Sequence, residues 1–181
     1  TIFSEQAVFR SADRSVDQEG TPVKVDGMMV TPSFFRVAGI EPQLGRTLTD
    51  QDGEAGNEFA VGISVSFWRS HFAGHAAVVG RSLRLDGRPY TVVGVMPRAF
   101  NPTDRRTELW TPIVFTPRER SDDSRHSNNL IYIARLKAGA TPEQAQAQID
   151  ALNAANLARF PAFRELLINA GFRTIVNRVL D

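Results

Sequence analysis

The segment Ser82–Met96 constrains the fold more than any other part of the chain, because its pattern is that of a β-hairpin. Leu83 and Leu85 alternate with polar residues and lead into Asp86-Gly87, a pair that accepts the positive φ angles of a two-residue turn. The largely apolar segment Tyr90–Met96 then predicts the returning strand. The chain must therefore include an antiparallel sheet, with the two leucines on its buried face.

Several further segments have the short apolar or alternating patterns of strands. They are Ile2–Arg10, Val23–Val30, Glu58–Ser64, Asn129–Leu136 and Phe172–Leu180. A polar turn is predicted at Asp13–Gly20, and the charged segment Arg120–Asn129, which has no periodicity, is predicted to be a solvated loop. Strands thus outnumber helices, and most of the short links between them favour antiparallel pairing, with crossover helices.

Three Thr-Pro pairs predict helix starts, because threonine can cap free amide groups and proline suits the first helical position. The pairs begin at Thr31, Thr116 and Thr141, and the last two are followed by a glutamate or glutamine in the capping-box pattern. A further short helix is predicted at Val65–Phe72 from its apolar spacing. Together with the strands, these helices predict an α+β fold.

Composition excludes several classes of function. The chain of 181 residues has no cysteine, which rules out disulfide scaffolds, thiolate metal sites and cysteine nucleophiles. Its net charge of +1 gives no overall attraction to nucleic acid, so no nucleic-acid partner is expected. The glycines lack the spacing of a phosphate-binding loop, and we expect no cofactor in this chain. Apolar runs reach only about five residues, whereas a membrane-spanning helix needs roughly 20.

Two groups of residues have the types that bind metals, and both have a simpler interpretation. His71 and His75 have the spacing of zinc ligands on one helix face, but the residues between them indicate that the helix is ending. Asp122 and Asp123 with His126 lie in a charged loop that lacks the alternating oxygen ligands of a calcium site. We therefore expect no metal site.

One segment resembles a catalytic motif without completing it. Gly62–Ser66 reads as a nucleophile elbow around Ser64 but lacks the closing glycine. The sequence therefore predicts that the protein is not an enzyme. A hydrolase remains an alternative, and it would need an activity that depends on Ser64 or His71.

A series of short phrases follows one after another from about Val25 to Asp150. They are VDGMMVTPSFFRVAGIEPQLGR at 25–46, AVGIS at 60–64, FWR at 67–69, VGRSLRLDG at 79–87, YTVVGVMP at 90–97, LWTP at 109–112 and ARLKAGAT at 134–141. In this order they resemble the MacB-like periplasmic core domain, the extracytoplasmic domain of FtsX-type ABC transporter permeases. The style of the sequence is closest to the large duplicated permeases of soil bacteria.

The resemblance implies two small α+β lobes and a role in transport. A porter-like lobe would be built from both chain ends, 1–35 and 124–181, and an inserted, mixed α/β, sabre-like lobe would cover 36–123. The domain would be non-catalytic and periplasmic, part of an inner-membrane permease whose mechanotransmission couples cytoplasmic ATP hydrolysis to a substrate or partner protein outside the membrane. ATP would bind to a separate nucleotide-binding domain, reached through membrane helices.

Two exposed segments are predicted to contact a partner. They are the hairpin tip, with Asp86 and Arg88, and the charged loop, with Arg120 and Arg125. The aromatic pair at 34–35 sits on a short amphipathic helix and is predicted to be core. The alternative to a permease domain is a free-standing periplasmic module that binds a small molecule or lipid in the cleft between the lobes.

Overall fold

The described part of the chain forms a mixed ten-stranded sheet with four helices. The computed structural model describes residues 1–18, 20–97, 106–124, 129–161 and 164–179. The strands are β1 (Phe3–Ser11), β2 (Arg14–Gln18), β3 (Thr21–Val25), β4 (Gly27–Val30), β5 (Leu44–Gly45), β6 (Ala60–Ser64), β7 (Ser82–Leu85), β8 (Arg88–Met96), β9 (Leu109–Pro112) and β10 (Ile131–Leu136). The helices are α1 (Phe34–Ala38), α2 (Val65–Phe72), α3 (Pro142–Arg159) and α4 (Arg164–Asn169). The predicted α+β class is confirmed.

The sheet combines antiparallel and parallel pairs. Its order is β10-β1-β4-β9-β6-β8-β7-β2-β3, and β5 pairs with β8 off this path. β4 runs parallel to β9 and β6 runs parallel to β8, while β6 and β9 are antiparallel. Every residue of β6 is buried, as expected for a central strand with both faces covered. Most of the described pairs are antiparallel, as predicted, but these two parallel pairs were not predicted individually.

The predicted hairpin is confirmed as β7 and β8. Asp86 and Gly87 have φ angles of 51° and 78°, the two positive values that the tight turn requires. Leu83 and Leu85 are buried and alternate with exposed residues. The predicted turn at Asp13–Gly20 is wrong, because residues 14–18 form β2.

Two apolar clusters lie on opposite faces of the sheet, because consecutive strand residues belong to different clusters. Leu109 of β9 belongs to the second cluster and Trp110, its neighbour, to the first. Helix α1 covers the first cluster with Phe34 and Phe35, whose buried rings meet edge to face at 5.5 Å. Helix α2 covers the second cluster with its buried Phe67. The prediction that the aromatic pair of α1 belongs to the core is confirmed.

Helix α3 begins where its capping box predicts. The Thr141 hydroxyl accepts a hydrogen bond from the Gln144 amide, and the Gln144 side chain accepts one from the Thr141 amide. Helix α1 has Ser33 as its N-cap, without a side-chain capping bond. The hydroxyl of Thr31 accepts a hydrogen bond from the Val8 amide of β1 instead. The third Thr-Pro pair, at Thr116, does not begin an α-helix.

At Thr116 the capping bonds form but no α-helix follows. Glu119 accepts hydrogen bonds from the amide and hydroxyl of Thr116, and its own amide donates to that hydroxyl. Residues 117–120 make only turns. A capped turn cannot extend into a stable helix without an apolar face to bury, and residues 117–121 are proline, charged or polar.

The predicted strand Phe172–Leu180 is wrong over its described residues, since residues 172–179 form no strand. The backbone groups of this segment form hydrogen bonds with a side chain of α3 instead. The Gln146 amide group donates to the Thr174 carbonyl at 2.8 Å and accepts from the Val176 amide at 2.9 Å. Leu180 lies outside the described residues.

Contacts divide the chain into two units. The smaller unit is Thr1–Ser4 with Arg135–Asp181, and the larger unit is Glu5–Ala134. Both apolar clusters belong to the larger unit. The lobes implied by the resemblance, 1–35 with 124–181 and 36–123, stay a prediction. Within the described ranges, no helix has both the length and the apolar character needed to cross a membrane.

Candidate functional site

An open depression lies at the carboxyl ends of the parallel strands β6 and β8. Its volume is about 460 Å³, and it is lined by Gln43, Val65, Ser66, Arg69 and Pro97. The loop before β5, the first two turns of α2 and the residue after β8 thus meet at one place. Ligands of α/β sheets bind outside the carboxyl ends of parallel strands. This β6–β8 depression is therefore the candidate binding site within the larger unit.

The serines at the start of α2 fix one wall of the β6–β8 depression. The Ser64 hydroxyl accepts a hydrogen bond from the Phe67 amide at 3.0 Å and lies 3.0 Å from the Ser66 hydroxyl. Ser66 donates to a carboxylate oxygen of Glu108 at 3.1 Å. The Ser64 amide also donates to the Glu108 carbonyl at 2.8 Å. Ser64 therefore acts as the cap of α2 and joins the helix to the segment before β9.

Of the two histidines considered as zinc ligands, His71 lies on α2 and His75 lies beyond its end. The ring of His71 stacks on Phe67, with centroids 3.8 Å apart and planes 12° apart. Helix α2 ends at Phe72, as the sequence indicates, and the next residue has a left-handed conformation. His75 lies beyond that end, where its carbonyl accepts a hydrogen bond from the Trp68 indole at 2.9 Å.

Metal-ligating side chains are not grouped in the described part of the chain. Those residues include no cluster of three or more histidine, cysteine, aspartate or glutamate side chains that could hold an ion. Asp122 begins a short 3₁₀ turn at 122–124. The third member of the proposed group, His126, lies outside the described residues.

A buried carboxylate holds the loop that follows β5. Asp52 forms a two-point ion pair with Arg46, at 2.6 and 3.1 Å. It also accepts hydrogen bonds from the amide and hydroxyl of Thr49, at 2.7 and 2.9 Å. Burial raises the pKa of Asp52, but the hydrogen bonds from Arg46 and Thr49 lower it by more than burial raises it. The pKa of Asp52 therefore lies below its usual value of 3.8. This arrangement is a structural clamp.

The predicted contact residues of the hairpin tip have different surroundings. The carboxylate of Asp86 accepts a hydrogen bond from the Ser15 amide at 2.8 Å and pairs with Arg14 at 3.0 Å. Asp86 thus joins the hairpin to β2. Arg88, the register partner of Leu85, is exposed, as predicted for the hairpin tip. Arg84 of β7 is exposed as well.

The predicted contact residues of the charged loop are only partly described. Arg120 is exposed and ends the turns at 117–120. Its neighbour Glu119 pairs with Arg10 of β1 at 3.3 Å. The amide and hydroxyl of Thr116, together with Arg10, hold the pKa of Glu119 below its usual value. Arg125 lies outside the described residues. The contact roles of Asp86, Arg88, Arg120 and Arg125 stay predictions.

Sequence reasoning did not identify the β6–β8 depression. Its lining residues Gln43, Arg69 and Pro97 are far apart in the chain, and none belongs to a chemical motif. The signal that could have found it is the continuous apolar run of β6 followed directly by α2, which is typical of a parallel strand with a crossover helix.

Comparisons with known proteins place the chain in a family. The family model of the MacB-like periplasmic core domain matches residues 3–152. The fold is similar to that of the periplasmic region of MacB from Actinobacillus actinomycetemcomitans, at 17% identity and a TM-score of 0.66, covering 86% of this chain and 68% of that one. No sequence among the curated proteins matches this chain.

Two further structures have a similar fold. A domain of a putative permease protein from Porphyromonas gingivalis matches at 18% identity and a TM-score of 0.63, covering 86% of this chain and 71% of that one. The extracellular domain of the noncanonic ABC-type transporter YknZ from Gram-positive bacteria matches at 14% identity and a TM-score of 0.57, covering 80% of this chain and 71% of that one. Since the family match covers most of its length, the chain belongs to the MacB-like periplasmic core domains, which are extracytoplasmic domains of ABC transporter permeases.

Proposed function

We propose that this domain works in an FtsX-type permease of the bacterial inner membrane and passes the motion driven by cytoplasmic ATP hydrolysis to a substrate or partner outside the membrane. The observation that carries the proposal is the family match over residues 3–152. In this proposal ATP binds to a separate nucleotide-binding domain or subunit, and membrane helices connect it to the extracytoplasmic domain.

The local chemistry of the chain supports a domain that binds and moves rather than one that catalyses. Three residues of catalytic or ligand type have structural tasks here. Ser64 caps α2, His71 stacks on Phe67, and Asp52 clamps a loop. In the proposal a periplasmic partner contacts the hairpin tip at Asp86 and Arg88 and the charged loop at Arg120 and Arg125.

Purification of the protein from its natural membrane tests the assignment to a permease. A tagged protein extracted in mild detergent is expected to bring an ABC ATPase subunit or domain with it, and the complex is expected to hydrolyse ATP. Recovery from the periplasmic extract, with no ATPase attached, would contradict the proposal and favour a free-standing binding module.

Distance measurements test the coupling itself. Because the chain has no cysteine, spin labels can be attached at Ser82→Cys in the larger unit and Ala147→Cys in the smaller unit, both exposed positions. The distance distribution in the membrane-embedded complex is expected to change when ATP and vanadate are added. The control pair, Ser82→Cys with the exposed Asn57→Cys, lies inside the larger unit and is expected to stay constant. A first pair that also stays constant would contradict coupling.

A further inference from the structure

We infer that the β6–β8 depression binds a small amphipathic monocarboxylate, whose carboxylate pairs with the guanidinium of Arg69. This inference goes beyond the proposed function and does not depend on it. A free-standing module with the same depression would bind the same ligand.

The size of the β6–β8 depression is that of a small-molecule site. Its volume of about 460 Å³ lies within the range of roughly 300–1,000 Å³ that is common for such sites. A body of about ten to fifteen non-hydrogen atoms would occupy such a volume in part and leave the open side to water.

The walls of the β6–β8 depression are held in place by hydrogen bonds and by packing against the core. The amide of Gln43 donates to the Val95 carbonyl of β8 at 2.7 Å. The start of α2 is capped by Ser64, and the buried ring of Phe67 anchors that helix to the second apolar cluster. Walls that are already ordered lower the entropy that binding must overcome.

The lining divides into an apolar part and a polar part. Val65 and Pro97 offer aliphatic surface, and the amide group of Gln43 can both donate and accept hydrogen bonds. Arg69 is the cationic lining residue, and its planar guanidinium can hold a carboxylate through two parallel hydrogen bonds. This combination favours a ligand with an apolar body and an anionic end.

Glu108 explains why the ligand should carry one negative charge rather than several. Its carboxylate accepts a hydrogen bond from the Ser66 hydroxyl at 3.1 Å, so a negative group lies directly beside Ser66, a lining residue of the β6–β8 depression. A polyanion would place charge near this carboxylate and be repelled. A monocarboxylate can keep its single charge beside Arg69.

Nuclear magnetic resonance titration of the 181-residue chain tests the inference. The probe is 4-phenylbutyrate, with 4-phenyl-1-butanol as the uncharged analogue and acetate as the charge without the body. We expect saturable shifts of the amides of Gln43, Val65, Ser66 and Arg69 with the first probe, with a dissociation constant on the order of 1 mM. The other two probes are expected to bind at least about tenfold more weakly.

Variants separate the role of Arg69 from general surface effects. Arg69→Gln is expected to weaken 4-phenylbutyrate binding at least about tenfold, because it removes a charge-assisted hydrogen bond. Arg69→Lys, which keeps the charge without the fork, should restore part of the affinity. The matched control Arg84→Gln changes an exposed arginine of β7 and should bind normally. Absent saturation, or equal binding by Arg69→Gln with an unchanged melting temperature, would overturn the inference.

Discussion

The carboxylate of Asp52 is the residue on which the loop after β5 depends most. Its side chain is 11% exposed, whereas that of Asp50, two residues earlier, is 82% exposed. Both are aspartates of the same short 3₁₀ turn. The difference in burial makes them a matched pair in which only one carboxylate holds structure together.

We predict that Asp52→Asn lowers the free energy of unfolding by about 2 kcal/mol at neutral pH, because charge-assisted hydrogen bonds from Arg46 and Thr49 are lost. Since the folded protein depresses the pKa of Asp52 below 3.8, this contribution is present above that pH. It is lost as the pH falls through the lower folded pKa. Urea unfolding at several pH values should show that the unfolding free energies of Asp52→Asn and of the unchanged protein converge as the pH falls.

The control for this prediction is Asp50→Asn, which should change the unfolding free energy by less than about 0.5 kcal/mol, because exposed ion pairs contribute little. Asp50 lies 3.7 Å from Arg36, both well exposed. If Asp52→Asn and Asp50→Asn had equal effects, the clamp would carry no stability of its own.

Among the elements, the pairing of β5 with β8 requires a glycine at a specific place. A Cβ atom at Gly94 would lie 2.2 Å from the Arg46 carbonyl oxygen and 2.9 Å from that of Leu44. At Gly62, its register partner on β6, the nearest atom to an added Cβ would be the flexible end of Met96 at 3.2 Å, and Trp110 would be in ordinary contact at 3.9 Å. Backbone cannot yield as a methionine side chain can.

We therefore predict that Gly94→Ala lowers the free energy of unfolding by about 3 kcal/mol, because overpacking against backbone forces β5 away from β8. Gly62→Ala, the matched control, should cost about 1 kcal/mol or less. Chemical denaturation of both variants measures the difference. Equal values would mean that β5 moves away at no cost and that the pairing contributes little.

The elements that were predicted correctly from the sequence are those whose conformation is determined by residues close together in the chain. Asp86-Gly87 determines its turn through positive φ angles, and Thr141 caps α3 within one turn. Strand β2 depends on both a near and a remote partner. It pairs with β3, the next strand along the chain, over five residue pairs, and its buried Val16 also pairs with Leu85 of β7, far along the chain. A polar segment with one valine gives no sign of such a partner, so residues 14–18 were predicted as a turn.

The candidate site could not be predicted for a related reason. Its lining depends on the parallel register of β6 with β8, in which Ser64 lies opposite Met96. In this register Arg69 and Pro97 both line the depression.

The reverse error occurred at residues 172–179, where an apolar pattern predicted a strand. There the side chain of Gln146, not a neighbouring strand, accepts a hydrogen bond from the backbone amide of Val176.

At the scale of the whole molecule, the apolar core is distributed unequally between the two units. Both apolar clusters belong to the larger unit. In the smaller unit the buried residue of α3 is Ala145, while Leu152, Leu166 and Ile175 are 60%, 64% and 58% exposed. Stability against local opening follows buried apolar contact rather than helix length, so the two units should differ.

We predict that backbone amides of α3 exchange with solvent at least about tenfold faster than those at the centre of β6 and β8, after correction for intrinsic rates. Helix α2 is the matched control. It is shorter than α3, with 8 residues against 18, but its Phe67 is buried in the second cluster. If core contact decides, the last turn of α2 should be better protected than α3. If helix length decides, the order is reversed. Hydrogen exchange followed by mass spectrometry on peptides from 60–72, 88–96 and 142–159 distinguishes the two, and equal protection throughout would show that the units open as one.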